Sequence, residues 1–93
     1  MKVNELGDKT KVTDITLKIV DKEEPRDVRG GELQVCNFTG EDDTGKVIIA
    51  LWNDDIGKVS VGSSIKISNG WCSEYNGTLQ LSPGKFGSME VLS

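Results

Sequence analysis

Apolar and polar residues alternate with a period of two over much of this chain, as expected of strands buried on one face and wet on the other. Residues 12–20 alternate most cleanly, with Ile15, Leu17 and Ile19 on one face and Thr16 and Lys18 on the other. Residues 32–39 read as a second strand and residues 45–52 as a third. In the third, Val47, Ile49 and Leu51 form the core face, so Trp52 points the other way with Ile48 and the small Ala50. The fourth strand begins at Ser64 and turns Ile65 and Ile67 inward. Strict alternation would then carry Trp71 inward as well. Gly70 stands just before it, and a glycine inside a strand pattern marks a bulge that resets the facing of the residues beyond it. With that reset, Trp71, Ser73 and Tyr75 share the outer face of Trp52; without it, one or both tryptophans are core residues. Parity alone leaves both arrangements open.

The connections carry turn chemistry. Asn76-Gly77 is a primed-turn pair that closes a tight hairpin into a fifth strand, where Leu79 and Leu81 return to the core. Residues 1–11 form a polar lead-in whose large apolar residues after the initiator are Val3 and Leu6. Residues 21–31 hold charges, Pro25 and Gly30-Gly31, and read as a loop or as a hairpin tip that continues towards Asp27-Val28. Residues 41–45 are an acidic turn with aspartates bonding their own backbone. Residues 53–62 form a link with room for one helical turn starting at Asn53 or Asp54. Residues 82–88 read as a glycine-rich loop, and residues 89–92 as a short last strand closing against the first. Short strands, a hairpin, glycine bends and almost no helix predict a small closed β-barrel, whose closure removes exposed strand edges.

Composition narrows this to one domain, residues 1–93, with a single small core. Nothing in it approaches a membrane span or a secretory segment, so the expected location is cytoplasmic, with no membrane partner. The net charge of −4 argues against a generic polyanion binder, but a local basic groove depends on where cations cluster. The acids are in fact gathered at predicted turns. From Ile56 onward only Glu74 and Glu90 remain, against Lys58, Lys66 and Lys85. The part of the chain that carries Trp71 and Tyr75 is therefore not acidic.

Catalytic chemistry finds little support. The chain has no histidine, and its two cysteines, Cys36 and Cys72, cannot make a four-thiolate zinc site. They read as small, reduced, partly buried residues, with a disulfide left open. Gly84-Lys85-Phe86-Gly87 lacks the spacing and the hydroxyl residue of a phosphate-binding P-loop. Neither an enzyme nor a cofactor nor a metal centre is expected.

The order Asp42-Asp43-Thr44-Gly45, apolar strand, Leu51-Trp52, Val61-Gly62, Ile65-Lys66-Ile67, Gly70-Trp71, Tyr75-Asn76-Gly77 and Leu79-Gln80-Leu81 resembles a known family. It is similar to the OB-fold of archaeal single-stranded-DNA-binding proteins and replication protein A. Upstream, Val20 followed by Glu24-Pro25-Arg26-Asp27-Val28 resembles that family's first hairpin. The resemblance implies an all-β, five-stranded OB-fold, a closed Greek-key barrel, over nearly the whole chain. It also implies that Trp52, Trp71 and Tyr75 stack on bases, which favours the outward facing. A further aromatic that some members carry after strand five has no match at Ser82; Phe86, later in the loop, is its candidate. The family's flexible partner-recruiting tail has no counterpart after Ser93, so the expectation is either a minimal protein or one domain of a longer chain.

Aromatic platforms bind single strands with little sequence preference, because every base has a π-face. Lys18, Arg26, Arg29, Lys66 and Lys85 are the candidate phosphate contacts, each equally suited to a solvated surface role. The expected partner is single-stranded DNA, in replication and repair. Single-stranded RNA and other replication or repair proteins are the alternatives, since stacking does not distinguish the sugars.

Overall fold

A computed structural model describes residues 1–92, apart from the side chains of residues 84–86. The strands are β1 (Thr10–Lys22), β2 (Arg26–Val28), β3 (Leu33–Asp42), β4 (Gly45–Trp52), β5 (Ser64–Tyr75) and β6 (Thr78–Val91), with a short helix, α1 (Asp54–Lys58). They lie in the order β1-β5-β6-β4-β3-β2, and β1 returns to pair with β3. This closes a five-stranded barrel, with β2 a short addition along β3. The pairings are antiparallel except for β4 with β6, where Ile48 meets Gln80 and Ile49 meets Leu81.

The alternation read from the sequence fills the interior. Ile15, Leu17 and Ile19 of β1 meet Val47, Ile49 and Leu51 of β4 and Ile65 and Ile67 of β5 in one core cluster. At Gly40 on β3 a side chain is excluded: a Cβ there would lie 2.6 Å from Ile49 Cδ1 and 3.2 Å from Leu17 Cβ. Ile56 on α1 and the following Val59 join the core beyond the end of β4.

The lead-in does more than its polarity foretold. Val3, in a 3-10 turn over Val3–Glu5, is buried in the core, and its N–H donates to Asp42 Oδ2 at 2.9 Å. Asp42 Oδ1 accepts from the Thr44 N–H at 2.7 Å and from the Thr44 hydroxyl at 2.6 Å. The Lys2 ammonium pairs with Asp43 at 2.7 Å. The acidic turn therefore bonds its own backbone, as expected, and also anchors the N-terminal segment. Desolvation pushes the Asp42 carboxyl up, but the bonds from the Thr44 hydroxyl and from the Val3, Thr44 and Gly45 backbone outweigh it and hold the group below its ordinary value.

Two expectations about the C-terminal part are corrected. Residues 82–88 are not a loop between strands, because β6 runs through them from Thr78 to Val91. Its ladder to β5 is interrupted instead, passing from Gly70↔Pro83 to Ser68↔Ser88, so residues 84–87 are passed over. Residues 89–92 do not close against β1: Met89, Glu90 and Val91 pair with Ile67, Lys66 and Ile65 of β5. A strand that leaves the hairpin beside β5 stays on β5, and barrel closure falls to β1 and β3.

Cys36 and Cys72 are buried and unbridged. The Cys36 thiol donates to the Glu23 carbonyl at 3.1 Å. Burial pushes both thiols above their ordinary value, which leaves them protonated at neutral pH.

Candidate nucleic-acid interface

Trp52 ends β4 on the face opposite the core and is 42% exposed. Its position is held by the next residue. Asn53 donates its N–H to the Gln34 carbonyl at 2.9 Å, and its side-chain oxygen accepts from the Gln34 N–H at 3.0 Å. Directly across β3, Val35 stands between Trp52 and Arg26 of β2 in register. Val35 faces outward and lies outside the core cluster, yet it is buried.

On β5 the facing does reset. Ile65 and Ile67 are buried, then Asn69 is exposed, Gly70 buried, Trp71 46% exposed and Cys72 buried again. The left-handed residue is Asn69, with φ 55°, so the bulge sits one position earlier than the glycine suggests. Gly70 is needed for a different reason. A Cβ there would lie 2.9 Å from both Ile67 Cγ2 and the Ser82 carbonyl oxygen. Tyr75 closes the strand at 62% exposure, and Asn76 and Gly77 take φ of 50° and 80°, as a primed turn requires.

These elements give the three aromatics a common surface. Trp71 pairs with Ser82 on β6, and the parallel pairing Ile49↔Leu81 brings Ser82 alongside Ala50 one step further on. Two small residues therefore separate Trp71 from the β4 row that ends at Trp52. Tyr75 lies opposite Thr78 at the hairpin. Beside that hairpin runs a groove of about 410 Å³, with Thr39, Lys46 and Ile48 on one wall and Gly77, Thr78 and Leu79 on the other. Lys46 was missed by sequence reasoning. Its one signal is parity, since it shares the outward face of Ile48, Ala50 and Trp52.

The candidate cations divide. Arg26 is exposed and lies in the row of Val35 and Trp52, and Arg29 follows in the turn after β2 with φ 52°. Lys18 stands across β3 from Lys46, with Glu41 between them. Lys66 is set apart: it pairs with Thr16 and Glu90, about 17 Å along β5 from Trp71 at 3.4 Å per residue. The side chains of Lys85 and Phe86 lie outside the described residues.

The family model described as single-stranded DNA binding protein Ssb-like, OB fold, matches residues 6–91. The chain belongs to this Ssb-like family. It is 27% identical over 85 residues to the single-stranded DNA binding protein Ssb of Saccharolobus solfataricus, an alignment covering 89% of this chain and 57% of that protein. The Ssb-like chain thus spans little more than half the length of that relative. Among solved structures, the replication factor A related protein of Methanobacterium thermoautotrophicum superposes with a TM-score of 0.79 at 22% identity, covering 100% of this chain and 90% of the other. The second OB-fold domain of replication protein A from Methanococcus maripaludis gives 0.77 at 21%, covering 100% and 94%. A hypothetical protein of Arabidopsis thaliana gives 0.82 at 19%, covering 100% and 72%. At these identities the structural likenesses establish the OB fold.

Proposed function

We propose that this Ssb-like domain binds single-stranded DNA, stacking bases on Trp52, Trp71 and Tyr75, in the service of replication and repair. The observation that carries the reading is the exposure of the aromatics. Three large rings lie on the outer surface of β4 and β5, on either side of the small residues Ala50 and Ser82, while the core is closed by aliphatic residues and Phe38. A ring left half in water contributes less to folding than it would inside. It offers instead a platform worth about 1–3 kcal/mol per stacked base. In this reading Arg26, in register with Val35 and Trp52, and Lys46, on the wall of the groove, meet phosphates, and Arg29, Lys18 and Lys66 add to the positive field. Because stacking uses faces rather than edges, binding is largely independent of sequence. A duplex, whose bases already stack on one another, is a poor ligand.

Tryptophan fluorescence tests this directly, since both indoles lie in the proposed site. Oligothymidylate is expected to quench emission at low salt, with an affinity that falls as salt rises by a slope of about −0.7 per phosphate neutralised. Stronger quenching by single-stranded RNA would shift the ligand class to RNA. No response to either strand would leave a protein-interaction module as the reading of this surface.

A further inference from the structure

On β1, Val12 and Ile15 are both buried while Thr13 and Asp14 between them are exposed. The alternation that places Ile15, Leu17 and Ile19 in the core therefore slips at this point. The slip faces the Asn69 bulge: Val12 pairs with Gly70 and Asp14 with Ser68, and no pairing joins Thr13 to Asn69. The two strands bend together, and both change facing. As a result Lys11, which the parity of Ile15 would aim inward, is exposed and pairs with Trp71 on the aromatic face.

Lys9 precedes it with φ 55°, a left-handed backbone that a lysine adopts at a cost. The segment is pinned to β5 beside the aromatics, because Asp8 Oδ1 accepts the Glu74 N–H at 2.9 Å. That bond occupies one oxygen of the carboxylate adjacent to Lys9. Among the described residues neither Lys9 nor Lys11 is ion-paired. Two cations without partners are thus held on the side of Trp71 that faces away from β4.

We propose that the bound strand does not end at Trp71 but crosses β5 onto the start of β1, where Lys9 and Lys11 hold the phosphates flanking the base stacked on Trp71. This rests on the stacking reading above and extends it: the ligand's path turns across the barrel as well as following the β4 groove. The Asp8–Glu74 bond and the paired bend of β1 and β5 are the devices that position the two ammonium groups.

Affinity for a long oligothymidylate, measured by tryptophan quenching between about 50 and 200 mM salt, tests the path. In Lys11→Gln the slope of log affinity against log salt is expected to become shallower by about 0.7, and in the Lys9→Gln/Lys11→Gln double variant by about twice that. Lys11→Arg, which keeps the charge, is expected to retain the full slope. Lys58→Gln, on α1 and paired with Asp55, removes one charge elsewhere and serves as the control for net charge. Denaturation midpoints of the same samples verify that each variant is folded. An unchanged slope in the double variant, or a loss no larger than that of Lys58→Gln, would overturn the crossing path and leave the stacking reading intact. Absence of quenching in the unaltered protein would overturn both.

Discussion

Trp52 and Trp71 differ from core aromatics by degree of cover. Each is rather more than half shielded by its neighbours, and Trp52 stands beside the buried Val35. Truncation therefore removes some packing but opens no sealed cavity. Trp52→Ala and Trp71→Ala are each expected to weaken oligothymidylate binding by about 1–3 kcal/mol. The accompanying loss of stability in urea melts is about 1–2 kcal/mol, below the 3–5 kcal/mol of a fully buried ring. A stability loss at the buried-ring level with unchanged affinity in the surviving folded fraction would remove the rings from the site. Alternation set Trp52 outward, whereas for Trp71 it left two facings open and only a bulge beside Gly70 turned the ring out. Lys46 was legible in principle by the same parity, although it stands in no motif.

At the scale of the element, the β5–β6 hairpin carries two of the three proposed platforms, Trp71 and Tyr75, and two of its glycines serve unlike ends. Gly70 has no room for a side chain, whereas a Cβ on Gly77 would meet nothing within 4 Å and suffers only from its φ of 80°. Gly70→Ala is thus expected to push against Ile67 and the Ser82 carbonyl, costing about 1–3 kcal/mol through overpacking. It should also displace Trp71 and weaken binding. Gly77→Ala is expected to cost about 1–2 kcal/mol through backbone strain alone. Its effect on binding should be confined to the Tyr75 platform. Chemical denaturation beside fluorescence titration separates the two; equal effects of both substitutions on Trp71 quenching would contradict this division of labour. The existence of the bulge could be read from the sequence, but its position could not. The glycine signals that facing can change here, whereas choosing between Asn69 and Gly70 as the bulged residue depends on Ser82 across the ladder.

For the whole molecule, stability is linked to pH through groups whose folded-state pKa departs from the ordinary value, among them Asp42 and the two cysteines. Asp42 is held below its ordinary value in the folded state, so its contribution is present above the unfolded pKa, about 3.9. That contribution is lost as pH falls through the lower folded value. The Cys36 and Cys72 thiols are raised by burial, so their contribution is fully present below the unfolded pKa, about 8.5. It is lost as pH rises towards their higher folded values. The urea midpoint is therefore expected to be flat near neutrality, to fall below roughly pH 4 and to fall again above roughly pH 8.5. Asp42→Asn should flatten the acid limb while lowering the plateau, because Asn cannot replace both acceptor oxygens that hold Val3 and Thr44. A plateau unchanged by that substitution would mean that the N-terminal segment contributes nothing to the barrel.

Alternation by itself determined that this chain is a set of half-buried strands, located β4 and β5 closely and β1 and β3 to within a few residues, and put the two tryptophans and the tyrosine where a strand ends or bends. Resemblance of motif order then named the barrel type. Beyond the Asn76-Gly77 hairpin, only the tertiary structure decided who pairs with whom. Residues 82–88 hold Pro83, Gly84 and Gly87 and read locally as a loop, yet β6 runs through them, anchored to β5 on either side of the interruption by Pro83 and Ser88. Residues 89–92 carry no mark of their partner, and β5 captured them because the hairpin had already set β6 beside it. The lead-in looked polar, but Val3 and the Asp42 carboxylate, far apart along the chain, make it part of the core. Lys11, read as the end of the lead-in, belongs to β1 and is turned outward by a bend shared between two strands. Facing follows the period of a strand only between bulges, whereas pairing is a competition among distant backbone edges that closes only when the whole barrel does.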